Sequence, residues 1–346
     1  MKNDATPRLW ETPEITDINR LPMSSCLVPF PDEARAANYA RSASPWVQTL
    51  NGPWDFKLYE CPEDVPRAAL DEEIGTAAGS FRTIDVPSNW TLQETGDEPI
   101  YTNVQMPWEN DPPRVPAENP TGVYRRTFTI PSEWTDRRVV IHIGGVESYF
   151  ELYLNGRFIG MGKDTRLPSE FDLTPVLRDA APSAGGGSHT LAIKVVRWSD
   201  SSYVEDQDQW WMAGIYRDVY LYTTEAAFVR DLFAQADYDR DRAVGILDLT
   251  AEFAYVPVRD DDPGAASGPP DAYRLVATLS DAGGAEVWRS SARIAASFRE
   301  QEYRIPLHAS IPGVDPWSSE RPTLYSLVVT LFDSAGRRIE SRCVRV

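Results

Sequence analysis

The sequence predicts an all-β chain folded as two antiparallel sandwiches, and three observations carry that expectation. Short runs of alternating apolar and polar residues recur from Trp46 to the last residue. Strand-favouring aromatics are abundant, with 11 Trp, 15 Tyr and 12 Phe, and 28 Pro and 21 Gly punctuate them. No helical period separates the runs, so neighbouring strands should pair antiparallel. With 346 residues and 42% hydrophobic content, the chain is long enough for at least two cores.

Residues 1–45 read as an irregular arm lying on another surface, because Pro22, Pro29 and Pro31 interrupt any helix. The first sandwich is expected over residues 46–225. WVQTLNGPWDFKLYE sets Asn51-Gly52 between two apolar runs, the strongest short hairpin signal. GVYRRTFTIP, RRVVIHIGGVES and YFELYLNGRFIGMG alternate in turn, the last with a second Asn-Gly turn at Asn155-Gly156. A flexible Gly185-Gly186-Gly187-Ser188 connector precedes the strand HTLAIKVVRW, and YRDVYLYTT closes the series. Over residues 226–346, six or seven short runs, with a hairpin loop at Asp281-Ala282-Gly283-Gly284, fit an immunoglobulin-like sandwich without its disulfide. The Pro-, Gly- and Asp-rich stretch 256–273 should be an exposed loop, either a neutral insertion or a reach toward a neighbouring domain or subunit. SRCVRV ends inside a strand-like alternation, which suggests a truncated last strand and a fragment of something longer, unless it is a short natural edge.

A formal net charge of −18 argues against nucleic acid and against an anionic membrane surface as partners. Cys26, Cys61 and Cys343 are too few and too scattered for a disulfide framework or a zinc site. The polar N-terminus lacks a secretory h-region and no apolar run is long enough to span a membrane, so a cytoplasmic location is expected. No phosphate-binding or dinucleotide loop is present, so no nucleotide cofactor is implied.

Residues 197–219, RWSDSSYVEDQDQWWMAGIYRDV, are the densest source of chemistry. Asp200, Glu205, Asp206, Asp208 and Asp218 are interleaved with Trp198, Tyr203, Trp210, Trp211 and Tyr216. Carboxylates can accept hydrogen bonds from sugar hydroxyls, and ring faces can stack on apolar C–H faces. The other reading is a turn whose aromatics belong to the core and whose acids face water. His142, His189 and His308 lack metal-ligand spacing and read as structural. Paired carboxylates are the one enzymatic option left open, and glycosidases use such a pair. Asn103, in a Pro-rich stretch, could meet a sugar hydroxyl or simply form a turn.

Five ordered blocks then carry a resemblance: IDVPSNW, PIYTNVQMPW, NPTGVYRRTFTIP, GGVESYFELYLNGRFIGMGKDTRLPSEFDLT and RWSDSSYVEDQDQWWMAGIYRDV. From about Pro29 onward the chain resembles the N-terminal part of a glycoside hydrolase family 2 β-galactosidase of the long bacterial type. The resemblance implies a jelly-roll, galactose-binding-like sandwich followed by an immunoglobulin-like one. In the family a catalytic (β/α)₈ barrel comes next, and it is absent from this chain. None of the nine asparagines is followed by Glu, so the acid/base glutamate and its nucleophile partner are missing and the chain alone should be inactive. The resemblance assigns Asn103 and Asp200 to the galactose subsite. It makes Asp200 a sodium ligand only in company with the barrel, and it implies Na⁺ and Mg²⁺ for the full-length enzyme. It also implies a β-D-galactoside substrate hydrolysed with retention and a homo-oligomeric full-length protein. Glu205, Asp206 and Asp208 should pair with Arg197, Arg217 or turn amides, and Trp210 and Trp211 should pack at the domain junction. A stand-alone carbohydrate-binding module and a purely structural interaction unit are the rival expectations.

Overall fold

Alternating strands can bury one face only by packing sheet against sheet, and the chain does this twice. The structure, a computed structural model, describes residues 8–25, 27–71, 80–103, 105–179, 187–258, 273–294 and 302–346. Cys26 and most of the 256–273 stretch lie outside the described residues, as do Gly185 and Gly186. Two compact units form: Met1–Met23, Thr49–Thr135 and Val140–Leu221 make the first, and Ser24–Gln48, Asp136–Val139 and Tyr222–Val346 the second. Residues 1–45 are thus divided between the two units.

The first stretch of chain carries β1 (Asp17–Ile18), β2 (Val47–Thr49), β3 (Gly52–Tyr59), β4 (Arg82–Val86), β5 (Ser88–Asn89), β6 (Thr121–Thr129) and β7 (Arg138–Ile143). β8 (Val146–Glu147), β9 (Tyr149–Leu154), β10 (Arg157–Gly162), β11 (Ser169–Asp172), β12 (Ser188–Val196), β13 (Gly214–Ile215) and β14 (Val219–Thr224) follow. They assemble into sheets ordered β1-β10-β9-β12-β6-β3-β4, β11-β7-β14-β2 and β5-β13-β8. β12 lies between β9 and β6, with Ile193 opposite both Leu152 and Tyr124. In the core of the first unit Phe56 meets Tyr124 at 4.8 Å and Trp90 at 5.9 Å. Gly122 makes room for them: a Cβ there would stand 2.6 Å from Phe56 and 2.9 Å from Trp90. Phe150 of β9 and Phe171 of β11, 5.9 Å apart, join the large sheet to its partner.

The two Asn-Gly signals part company. Asn155 and Gly156, at φ 49° and 71°, form the tight turn joining β9 to β10. Asn51-Gly52 forms no hairpin: β2 enters the sheet beside β14, whereas β3 pairs with β4 and β6. The Asn51 side chain is instead spent on a neighbouring strand, donating to Asp218 Oδ1 at 2.8 Å and accepting from the Val219 amide at 2.9 Å. The dipeptide marks a crossing between sheets.

The second unit holds β15 (Ala227–Asp239), β16 (Val244–Tyr255), β17 (Tyr273–Ser280), β18 (Glu286–Ile294), β19 (Glu302–Pro312), β20 (Ser326–Phe332) and β21 (Arg338–Arg345). Sheets β15-β16-β19 and β18-β17-β20-β21 bury a common aliphatic core including Leu247, Leu275, Leu327 and Val329. Phe253 and Tyr273, 5.0 Å apart, link the two sheets. The loop Asp281–Gly284 joins β17 to β18 as expected, with Gly284 at φ 86°. One segment departs from its expected irregularity. The helix Glu33–Asn38 starts directly after Pro31, because Asp32 caps it by accepting from the Arg35 amide. Its Ala36 packs with Phe30, Val328 and Cys343.

Candidate functional site

β12 delivers the chain into the acidic, aromatic tract at Arg197. Asn119 fixes the entry with both ends of its amide, donating to the Trp198 carbonyl at 2.9 Å and accepting from the Trp198 amide at 2.9 Å. Trp198 is thereby set in a cluster with Trp108 at 4.6 Å and Trp211 at 5.5 Å. The polar edges of these rings are satisfied at the rim: Trp108 donates to the Tyr203 hydroxyl at 2.9 Å and Trp211 to Thr102 Oγ1 at 2.8 Å. Arg197 stacks over Trp198 at 4.7 Å, pairs with Asp97 and donates to the Glu98 and Trp211 carbonyls.

Asp200 opens the helical turn Ser201–Val204 two residues beyond Trp198. Its side chain is 5% exposed, and Oδ2 accepts from the Lys163 ammonium at 2.7 Å. Lys163, 4% exposed, also donates to the Thr12 carbonyl at 2.9 Å. Burial pushes the Asp200 carboxyl up from its ordinary range, against the pull of Lys163 and the Ser201 amide. The same turn holds the loop 163–168 a second time, because Glu205 accepts from the Thr165 amide at 3.0 Å and from its hydroxyl. Glu147, on β8, lies 3.7 Å from Arg166 of that loop. Burial first, with Glu205 adding to it, pushes the Glu147 carboxyl up to about 7 despite Arg166.

Asn103 occupies a different setting. It is exposed, at φ 49°, on the bend that follows Thr102. That left-handed backbone suits asparagine as a turn former. Thr102 is the residue held by Trp211, so Asn103 and Asp200 are both hung from one aromatic cluster, one exposed and one buried.

The remaining acids of the tract pair differently from expectation. Arg197 takes Asp97, not an acid of its own segment, and Arg217 donates to the Arg166 carbonyl. Glu205 does hold a loop amide, as expected, while Asp208 is exposed and accepts from the Tyr101 hydroxyl at 2.6 Å. Trp211 is buried within the first unit, and Trp210 is 56% exposed. The histidines are satisfied structurally: His142 contacts Glu170 at 2.9 Å, His189 contacts Asn155 at 3.0 Å and His308 contacts Asp248 at 2.7 Å. Among the described residues no group of three His, Cys, Asp or Glu side chains could hold a metal ion. Sequence reading missed Lys163, because nothing local pairs it with an aspartate 37 residues away. It also missed Asn119, whose signal is weak because an Asn-Pro pair reads as an ordinary turn.

Comparison with known proteins adds an independent line. Residues 47–225 match the family model described as glycosyl hydrolases family 2, sugar binding domain, and residues 227–346 match glycosyl hydrolases family 2. The beta-galactosidase of Psychromonas ingrahamii is 35% identical, over 98% of this chain and 31% of its own length. That of Photobacterium profundum is 37% identical, over 98% of this chain and 31% of its own. The chain thus spans 31% of the length of these curated relatives. In fold, a Bacteroides uniformis beta-glucuronidase aligns over 87% of this chain and 32% of its own, at TM-score 0.64 and 21% identity.

Proposed function

The chain belongs to glycosyl hydrolases family 2, and on that premise we propose that it is the non-catalytic N-terminal portion of a β-galactosidase. The complete protein would hydrolyse terminal β-D-galactosides with retention, using two glutamates carried outside this chain. The observation that carries the reading is the common anchoring of Asn103 and Asp200 on the Trp108–Trp198–Trp211 cluster. A rigid aromatic base lets two separated segments present polar groups to one sugar with little loss of order on binding. Asn103 would exchange hydrogen bonds with a hydroxyl through its exposed amide. Asp200 would accept from a hydroxyl through Oδ1, while Lys163 fixes Oδ2 and the plane of the carboxylate.

A sodium ion on Asp200 fits this chain poorly. An ammonium already neutralises the carboxylate, and the Thr12 carbonyl is directed at that ammonium. A cytoplasmic location and self-association of the complete polypeptide belong to the same proposal.

The test is hydrolysis of a chromogenic β-galactoside. The purified chain should show no turnover, and the complete polypeptide should be active. In that polypeptide Asn103→Ala and Asp200→Asn should each lower kcat/KM by about 10²-fold, the scale of a misplaced substrate. Turnover by the chain alone that disappears on Asp200→Ala would overturn the reading, because the catalytic carboxylates would then lie in these two units.

A further inference from the structure

The segment that bears Asn103 has little secondary structure of its own. Among the described residues between Leu92 and Thr121 no helix or strand forms, and the isolated bridge there pairs Ile100 with Trp211. Its hold on the tract 197–211 therefore depends on side chains, and one of them is used three times. Arg197 follows β12 directly and is 2% exposed. Its guanidinium reaches the Asp97 carboxylate, the Glu98 carbonyl at 3.0 Å and the Trp211 carbonyl at 3.3 Å. That Trp211 carbonyl also accepts from the Ile100 amide at 3.2 Å, and the Trp211 amide donates back to the Ile100 carbonyl at 2.7 Å. Arg197 thus joins residues 97–98 to residue 211 at the point where the two segments bridge.

The residue types suit the task. A guanidinium is planar, keeps its charge when buried and presents its N–H donors in a fixed fork, so it can serve a carboxylate and two carbonyls together. An ammonium is a single point of donors on a flexible stem. Asp97 divides its two oxygens between two donors: Oδ1 accepts from Arg197, and Oδ2 accepts at 2.7 Å from Nε1 of the fully buried Trp90. The other side-chain ties between the segments are weaker. Trp211 Nε1 to Thr102 Oγ1 is a neutral pair, and the bond from Tyr101 to Asp208 is exposed to solvent.

We propose that Arg197, with Asp97, is a positioning residue for Asn103. It acts through residues 97–102, and its loss frees that segment while the Lys163–Asp200 pair stays closed. Asp200 is held separately, since its amide donates to the Trp10 carbonyl at 2.8 Å and its carboxylate accepts from Lys163. The proposal rests on the galactoside reading only in giving Asn103 a sugar to meet. The tie itself lies wholly within this chain.

The experiment is residue-resolved amide hydrogen exchange on the purified chain, for the parent, Arg197→Lys and Asp97→Asn. Lysine keeps the charge but cannot span the three acceptors, and asparagine keeps the shape of Asp97 but has one oxygen for two donors. In both variants the Ile100 and Trp211 amides should exchange at least about tenfold faster than in the parent. The Asp200 amide, and the Leu152 and Ile193 amides of β9 and β12, should stay within about twofold. A purely structural loss would speed all of these amides together, and that result overturns the proposal. So does exchange at Ile100 and Trp211 that stays at the parental rate in the variants. Should one variant fail to fold, the other decides. In the complete polypeptide a second readout separates positioning from stability. Asn103→Ala made in the Arg197→Lys background should cost less than about threefold in kcat/KM, against about 10²-fold in the parent background, because a residue no longer positioned has little left to lose. A full penalty in the Arg197→Lys background overturns the positioning role. No penalty in the parent background would sink the galactoside reading instead, and hydrogen exchange on the chain alone would still decide the role of Arg197.

Discussion

Asp200 and Asp208 stand eight residues apart in one tract, and their surroundings differ in nearly every respect. Asp200 is buried against Lys163, in a rim where Glu147 faces Arg166 and Arg197 faces Asp97. Asp208 is exposed and touches one tyrosine hydroxyl. The aromatics divide in the same way: Trp198 and Trp211 are buried, while Trp210, adjacent to Trp211, is exposed. Lys163 and Asp200 are both buried, so each is held in one geometry by the other and removing either leaves an unpaired ion in low dielectric. Around Asp208, solvent replaces any partner that is lost. The first arrangement fixes the plane of the Asp200 carboxylate, and the second leaves Asp208 and Trp210 open to solvent.

Breaking the rim should produce the largest effect. Lys163→Met leaves the Asp200 carboxylate buried without its cation and should cost about 3–5 kcal/mol at pH 8 in urea unfolding. The loss should shrink toward pH 5, because a carboxyl already raised by burial escapes its penalty by protonating. A loss below 1 kcal/mol at pH 8 would mean that the pair is not dry.

Glu147 sharpens the comparison through pH. Its folded value of about 7 lies above its ordinary 4.5. Its contribution to stability is therefore fully present below about pH 4.5 and is lost as pH rises through about 7. Glu147→Gln cannot ionise, so at pH 8.5 it should be more stable than the parent by up to about 3 kcal/mol. Near pH 4.5 the two should coincide. Parallel stability curves across that range would show that Glu147 titrates normally.

A smaller effect is expected from Asn51→Ala, which removes the amide's two hydrogen bonds to residues 218 and 219 and should cost about 1–2 kcal/mol. Asn155→Ala, at the true hairpin turn, supplies a matched variant in which a left-handed residue is lost instead. Smallest of all, Trp210→Ala should shift stability by no more than about 0.5 kcal/mol, as an exposed site does. A loss above about 2 kcal/mol would place Trp210 in the core and remove the distinction between the buried and the exposed side of the tract.

Much of this was legible in the chain. Strand alternation and the Asn155-Gly156 and Asp281–Gly284 turns are local signals, set by side-chain period and backbone sign, and the structure keeps them. The tract 197–219 announced itself by composition, and the likeness of five blocks gave its family. Asn51-Gly52 shows where local signals stop. The same dipeptide is a hairpin turn only if its flanking strands pair, and here each strand finds a better neighbour, leaving Asn51 to bond with residues 218 and 219. The helix Glu33–Asn38 shows the converse, since a proline that forbids helix before it readily starts one after it.

The sequence by itself determined an all-β chain, most of its strands along the chain and the tight turns at Asn155-Gly156 and Asp281–Gly284. Only the tertiary structure decided which charges are buried and which aromatics are displayed. Lys163 meets Asp200 across 37 residues and Tyr101 meets Trp210 across 109, and at such separations no periodicity links the partners. Burial and pairing are set by what the remainder of the chain brings alongside. For that reason neighbouring residues of one composition could end as a buried ion pair at Asp200 and an exposed ring at Trp210.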